Sequence, residues 1–319
     1  MFRLKISGTR DRKVNLIPKF YPSTYSEPEN KDMAIILVHF NACRSVRLSQ
    51  NILLVKQYLD NANIPYYIGE LSIDNSPFLF NESPNIFHYA TDNYMFYKEN
   101  LVNLVVARVP DKYTKLCILD GDIFFDGDIF FDDPNWYSRL SNILDEVEIC
   151  QPFRTANWLN IENNAIVKSR NSCLIDANGH PGFAWAFTRA WYSLYKFPDF
   201  AVMGSGDTVF YNCAIAKMLP QTHYLSDMCY EYMKITPSHM SVKYLDVNIY
   251  HLHHGSLVNR KYTQRHSDMK SLLSRYKINY LSEILDYDAN GLRCWKDNFK
   301  QPMNEFIRAY LTNRDDDGI

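Results

Sequence analysis

A doubly wound α/β fold is the class this sequence predicts, and three observations predict it. Nearly continuous apolar runs of strand length recur, first MAIILVHF at 33–40 and later YTKLCIL at 113–119. Segments with apolar residues at helical spacing lie between such runs. An acidic residue, Asp120, stands directly beyond the end of the second run. Runs that are apolar along their whole length fit strands covered on both faces, as in a parallel sheet. Strands that alternate with helices place those covers above and below one sheet. In such sheets ligands bind beyond the carboxyl ends of the strands, which directs attention to Asp120 and its neighbours.

The elements follow in order. Residues 1–31 are polar, carry Pro18, Pro22 and Pro28, and read as an arm. After the strand at 33–40, SVRLSQNILLVKQYLDN (45–61) places Val46, Ile52, Leu53, Val55 and Leu59 at helical spacing, and IPYYIGEL (64–71) completes a β-α-β unit. Residues 92–109 form a second helical pattern, with Asp92 as a cap and Pro110 just beyond its end. Strand 113–119 follows. Farther on, VEICQPF (147–153) and PGFAWAF (181–187) read as strands separated by a polar stretch, 207–219 as a helix, LDVNIYHLHHG (245–255) as a strand running into histidines, and 258–276 and 303–313 as helices.

Composition narrows the function classes. The 319 residues are 46% hydrophobic and 22% charged, which excludes a disordered regulator, a collagen-like fibre and a coiled coil. Thirty-four basic against 36 acidic residues leave a formal charge of −2, so no strong field draws a nucleic acid or a membrane surface. Asp315, Asp316 and Asp317 contribute three of the negative charges as one run. The seven cysteines are odd in number and form no C-x-x-C pair, and Cys117 and Cys213 lie in apolar segments, as reduced thiols do. The charged N-terminal stretch lacks the apolar core of a signal peptide, and no run approaches the ~20 apolar residues needed to span a bilayer. The expectation is a soluble, cytoplasmic protein with no transmembrane segment. Aromatics reach 15%, and their exposed members would suit a homodimer. Seven of the eleven glycines fall between 121 and 255, where special backbone geometry is expected.

Three segments carry chemistry. In CILDGDIFF, Asp120 and Asp122 are two apart, so in an extended chain they face the same way, and paired carboxylates are hard ligands for Mg²⁺ or Mn²⁺. The bland alternative is a solvated acidic turn. DGDIFF repeats at once, at 126–131, but only the first copy follows a strand, and Asp126 and Asp128 read as turn residues around Gly127. In GSGDTVF, Asp207 follows a glycine-rich loop at the start of a helix, where it serves either as an N-cap or as a carboxylate kept ionised by the helix terminus. In YHLHHGSLVNRKYTQRH (250–266) three histidines fall within four residues ahead of Arg260, Lys261 and Arg265. Imidazole suits Mn²⁺ or Zn²⁺ and guanidinium suits a diphosphate, whereas no H-E-x-x-H is present.

In this order the three segments resemble the GT-A nucleotide-sugar glycosyltransferases, most of all inverting enzymes of the galactosyltransferase-like kind, over roughly residues 33–266. LDGD is similar to the D-x-D segment, GFAWAF to the sugar-side strand, GSGD to the glycine-acidic loop and HLHHG to the downstream metal-binding histidine, with His254 the better match. YKENLVN (97–103) resembles the helix before the metal motif, with Lys98 and Asn103 at its polar positions. The acidic loop departs from the galactosyltransferase pattern, since Thr208 follows Asp207.

The resemblance implies a Rossmann-like, mixed but mostly parallel sheet flanked by helices. It implies an arm (1–31), a catalytic domain (32–276, with the nucleotide-binding half at about 32–125 and the sugar and acceptor half at about 126–276) and a C-terminal helical extension (277–319). It further implies a hexosyltransferase using a nucleotide sugar, UDP-linked by preference, and a glycan, protein or lipid acceptor. Asn41 and Glu70 would hold base and ribose, with Lys98 and Asn103 also on the donor side. Asp120 would lie near ribose or metal, Asp122 and His254 would coordinate Mn²⁺ or Mg²⁺, Arg260 would assist the diphosphate, and Asp207 would be the general base.

Two other readings remain. A haloacid dehalogenase-type phosphatase also places D-x-D after an apolar strand, but there Gly-Thr usually follows the nucleophilic Asp and the motif lies early in the chain. Here Ile123 and Phe124 follow, and two strands precede it. A catalytically silent sugar- or nucleotide-binding module would share the fold and the metal elements without turnover.

Overall fold

The computed structural model describes residues 27–124, 135–219, 223–255, 264–314 and 316–317. Strand β1 (Met33–Phe40) leads to helix α1 (Val46–Asn61), whose start is fixed by the Ser45 hydroxyl accepting from the Leu48 amide at 3.0 Å. Strands β2 (Tyr66–Ile73) and β3 (Ile86–Thr91), helix α2 (Lys98–Val106) and strand β4 (Lys115–Leu119) complete the first half. The short β5 (Ile123–Phe124), helix α3 (Trp136–Ile143), and strands β6 (Ile149–Gln151), β7 (Thr155–Leu159), β8 (Ile166–Asn171) and β9 (Ala184–Thr188) follow. Next come α4 (Arg189–Tyr195), α5 (Gly206–Phe210) with a π-helical turn at Tyr211–Ile215, α6 (Ser226–Ile235), β10 (Val242–Tyr244) and β11 (Asn248–His251). Helix α7 (Gln264–Arg275), the hairpin β12 (Leu285–Tyr287) and β13 (Arg293–Trp295), and helix α8 (Asp297–Thr312) end the described chain.

Seven strands form the main sheet in the order β10-β6-β9-β4-β1-β2-β3. It is mostly parallel, and β9 alone runs antiparallel to both its neighbours. A second sheet, β5-β11-β7-β8, abuts the carboxyl end of β4. The predicted α/β class and mostly parallel sheet are therefore present. Side chains of β1 divide between the two cores: Ala34 and Ile36 pack with α2, while Met33, Ile35 and Leu37 pack with α1 and α3. That division is why MAIILVHF is apolar throughout. Among the described residues no helix is long and apolar enough to cross a membrane. All seven cysteines are free.

Several elements differ from expectation. The helix predicted over 92–109 begins at Lys98, because the preceding residues bond elsewhere: the Tyr94 amide to the Asn304 side chain (2.8 Å) and the Phe96 amide to the Val202 carbonyl (2.8 Å). The polar stretch 154–181 contains the antiparallel pair β7 and β8. Strand β8 is a mostly exposed edge strand, IVKSRN, and an edge needs no alternating apolar signal. Helix α8 starts earlier than 303 and runs through Pro302, and the helix expected over 207–219 is interrupted by the π turn. Helices α3, α4 and α6 and strand β3 carried no signal in the sequence reading. Most of the arm at 1–31 and the second DGDIFF copy lie outside the described residues.

Candidate active site

The site grows from the few residues between two sheets. Strand β4 ends at Leu119, and Asp120, Gly121 and Asp122 carry the chain to β5. The Asp120 amide donates to the Phe183 carbonyl (2.9 Å), so the turn is clamped to the loop before β9. Strand β5 pairs antiparallel with β11, placing Ile123 opposite His251, and the Leu252 amide donates to the Asp122 carbonyl at 2.8 Å. This pairing brings the acidic turn and the histidine segment together.

As a result Asp122 Oδ2 lies 2.7 Å from His254 Nε2 and 3.5 Å from His251 Nε2. One ligand atom from each of the three residues lies within 4.8 Å of the others, and all three residues are buried. The other carboxylate oxygen, Oδ1 of Asp122, is buried with no hydrogen-bond partner. A carboxylate with an unused buried lone pair beside two imidazoles fits a divalent ion, since such groups are otherwise hydrogen-bonded. The ring of His251 packs on Phe183 (centroids 4.9 Å apart), which itself packs on Trp158 and His180 and has a backbone φ of +82°. An aromatic residue in that region is strained, and such strain is found where a neighbouring site over-determines the backbone.

On the opposite side of the turn, Asp120 meets α2. Lys98 is buried at the first position of that helix, and its Nζ lies 2.5 Å from Asp120 Oδ1 and 2.9 Å from Asp207 Oδ2. Burial disfavours the ammonium, but the two carboxylates more than reverse this and raise the Lys98 pKa, so it stays charged. Burial raises the Asp120 carboxyl, with Asp207 and Asp122 adding to the rise and Lys98 opposing it. Asp207 lies in the first turn of α5 behind Gly204 (φ +83°) and Ser205 (φ +73°). Ser205 holds the cap position, and the Asp207 carboxylate points instead to Lys98.

Glu99, the next residue of α2, is also buried; its Oε1 has no hydrogen-bond partner. Burial pushes its carboxyl up to about 8 despite Lys98. It lies so close to Gly206 that a Cβ on that glycine would stand 2.1 Å from the Glu99 carboxyl group. One cavity of about 510 Å³ is lined by Asp120, Asp122, His251, His254, Lys98 and Asp207, together with residues of β1 and β8.

Other predicted residues fall elsewhere. Asn41 organises the turn into α1, donating to the Ser45 carbonyl (2.7 Å) and to the Ser49 hydroxyl (3.0 Å) while accepting from the Ser45 amide (2.8 Å). Glu70 accepts from the Leu79 and Phe80 amides at 2.6 and 3.0 Å, so its carboxylate fixes that loop. Asn103 accepts from the Tyr192 hydroxyl (2.5 Å) and donates to the Phe197 carbonyl (2.9 Å), and does not line the cavity. Asn41, Glu70 and Asn103 thus each hold local structure in place through these bonds. Asp120 pairs with Lys98, and the three residues whose ligand atoms converge are Asp122, His251 and His254. Arg260 lies outside the described residues. The sequence reading missed His251, although it stood in the histidine run, and Glu99 and Asp316, for which no pattern pointed inward.

Among solved structures, the chain is similar to glucosyl-3-phosphoglycerate synthase from Mycobacterium tuberculosis in complex with Mn²⁺, UDP and phosphoglyceric acid (7% identity, TM-score 0.38, covering 89% of this chain and 95% of that one). It is also similar to the catalytic domain of Drosophila β1,4-galactosyltransferase 7 in complex with xylobiose (12% identity, TM-score 0.33, 58% of this chain) and to mannosyl-3-phosphoglycerate synthase from Rubrobacter xylanophilus (9% identity, TM-score 0.35, 83% and 85%). The match spans 62% of the galactosyltransferase chain, less than two thirds of its length. No family model and no curated protein matches the sequence.

Two outcomes follow from this packing. The folded-state pKa of Glu99 lies above its ordinary value, so the neutral carboxyl stabilises the fold at acid pH and that contribution is lost as pH rises through about 8. Thermal unfolding from pH 5 to 9 should show Glu99→Gln losing less stability across this range than the parent; parallel curves would mean that Glu99 is not the titrating group. Gly206→Ala should destabilise by about 1–3 kcal/mol through overpacking against Glu99, read as a lowered denaturation midpoint at unchanged m-value.

Proposed function

We propose that the chain is a metal-dependent glycosyltransferase that moves a hexosyl group from a nucleotide sugar, UDP-linked by preference, to an acceptor hydroxyl with inversion. The observation that carries this reading is the meeting, in one cavity, of the Asp122–His251–His254 cluster with the Lys98-bridged pair Asp120 and Asp207. In the cluster, Asp122, His254 and His251 would hold the divalent ion. Two imidazoles and one carboxylate favour Mn²⁺ over Mg²⁺, which prefers an all-oxygen shell. Bound there, the ion would neutralise charge on the leaving diphosphate.

The chain's own groups supply the rest. Asp207 accepts the proton of the acceptor hydroxyl as its oxygen bonds to the anomeric carbon. The bond from that carbon to the diphosphate oxygen breaks, and its electron pair leaves with the nucleotide. Lys98 holds Asp207 and Asp120 by one ammonium, so the base is oriented before the acceptor arrives and both acids stay compatible with burial. Trp158, with Lys168 over its ring at 4.6 Å, and Phe183 offer flat faces on the side where sugar and acceptor would lie. Asn41 and Glu70 serve by fixing the turns that frame the donor end.

Asp122→Ala should abolish Mn²⁺-dependent UDP binding measured by calorimetry, and Mn²⁺ should support binding better than Mg²⁺; unchanged affinity would remove Asp122 from the metal site. Asp207→Asn should keep donor binding while lowering turnover by about 10²–10⁴-fold, the usual worth of a general base. Normal turnover in that variant would refute the assignment of the base. UDP release from a UDP-sugar, with and without Mn²⁺, separates the classes. Metal-dependent release supports the transferase. Binding without turnover supports a silent module, and phosphate release from simple esters supports a phosphatase.

A further inference from the structure

The acidic run at 315–317 reads in the sequence as a charge block, yet Asp316 lines the cavity. Asp317 is bonded to the start of α1: its carboxylate accepts from the Ser45 hydroxyl (2.7 Å), the Val46 amide (3.0 Å) and the Arg47 amide (2.9 Å). A carboxylate is well placed there, because the first amides of a helix have no partner within it and carry partial positive charge. Anchored in this way, Asp316 is 2% exposed. Its carboxylate pairs with Arg314 Nη2 at 3.1 Å, accepts from the Cys43 thiol at 3.4 Å, and has Oδ1 4.0 Å from His254 Nδ1. Burial and the Asp316 charge raise the Cys43 thiol pKa, which keeps it protonated as the donor. The opposite nitrogen of the same His254 ring faces Asp122. Arg314 also lines the cavity, and its Nε is buried without a hydrogen-bond partner.

We infer that Arg314 and Asp316, anchored by Asp317, form a wall of the donor site, in which Asp316 positions His254 for the metal and Arg314 meets the diphosphate of a nucleoside diphosphate. This rests on the function proposed above. A histidine that binds a metal through one nitrogen is oriented by what its other nitrogen faces, and a carboxylate in that place fixes the ring and makes it more basic. Arginine is the side chain that matches a diphosphate by paired hydrogen bonds, and an orphaned buried N–H beside a cavity calls for an acceptor from outside the chain. Asp317 acts only as the anchor.

The test uses the full chain and two variants with different readouts. Asp316→Asn should weaken Mn²⁺ binding in the absence of nucleotide by about 10–100-fold, followed by the electron paramagnetic resonance signal of free Mn²⁺. Arg314→Lys should leave Mn²⁺ binding near the parent value and, at saturating Mn²⁺, weaken UDP about tenfold while leaving uridine unchanged. Unfolding midpoints check that each variant is folded, and either variant can be read alone. Mn²⁺ affinity unaltered in Asp316→Asn, or UDP and uridine moving together or not at all in Arg314→Lys, would overturn the inference. Tighter UDP binding in Arg314→Lys would overturn it as well. A parent chain that binds neither Mn²⁺ nor UDP would instead refute the function on which it rests.

Discussion

The site depends on a change of sheet within three residues. Strand β4 belongs to the main sheet and β5 to the second, and the turn Asp120–Asp122 joins them. Because the two sheets lie on different sides of that turn, its two acids serve different partners. Asp120 turns to the start of α2 and pairs with Lys98, whereas Asp122 turns to β11 and meets His251 and His254. A turn lying in one sheet alone would have given two acids sharing one environment. The hydrogen bonds from the Asp120 amide to Phe183 and from Leu252 to the Asp122 carbonyl hold the division in place.

Charge balance explains why so many ionisable groups can be buried here. Lys98 offsets Asp120 and Asp207, and Arg314 offsets Asp316. Glu99 lies against the same cluster, and burial holds its carboxyl in the neutral form well above the usual range. A buried carboxylate with a nearby cation is tolerated; one without is expelled or protonated. Asp122 is the exception: its neighbours are imidazoles and one of its oxygens is unpartnered. That unpartnered oxygen separates a metal-fitting position from an ordinary buried ion pair.

How much of this was legible in the sequence follows from what each residue does locally. Strands β1 and β4 were readable because burial on both faces leaves an uninterrupted apolar run, and α1 because its apolar residues recur at helical spacing. Asp120, Asp122 and Asp207 stood out because each adjoins an element boundary. Strand β8 was not readable, since an exposed edge imposes no pattern, and Asn103, polar on an apolar helix, reads alike whether it meets a ligand or, as here, Tyr192 and Phe197. The inclusion of His251 depends on β11 pairing with β5, a long-range register that no local window contains. Asp316 is the extreme case, because a run of aspartates has the composition of a solvated tail until Asp317, beyond α8, is bonded to the start of α1.

Rigidity and backbone strain are distributed unevenly around the cavity, and the distribution has a chemical logic. The metal-fitting side chains lie just before β5, at the end of β11 and just beyond it, next to strands held by ladder hydrogen bonds. The carboxylate assigned to proton transfer sits instead behind Gly204 and Ser205, both left-handed, at the head of a helix of five residues that at once loosens into a π turn. Ion binding needs several donors fixed relative to one another, which a sheet supplies. A base must receive an acceptor and release it, which suits a loop with a single firm tether. Lys98, the first residue of a well-packed helix, is that tether, and through it the position of Asp207 is referred back to Asp120 and hence to the main sheet.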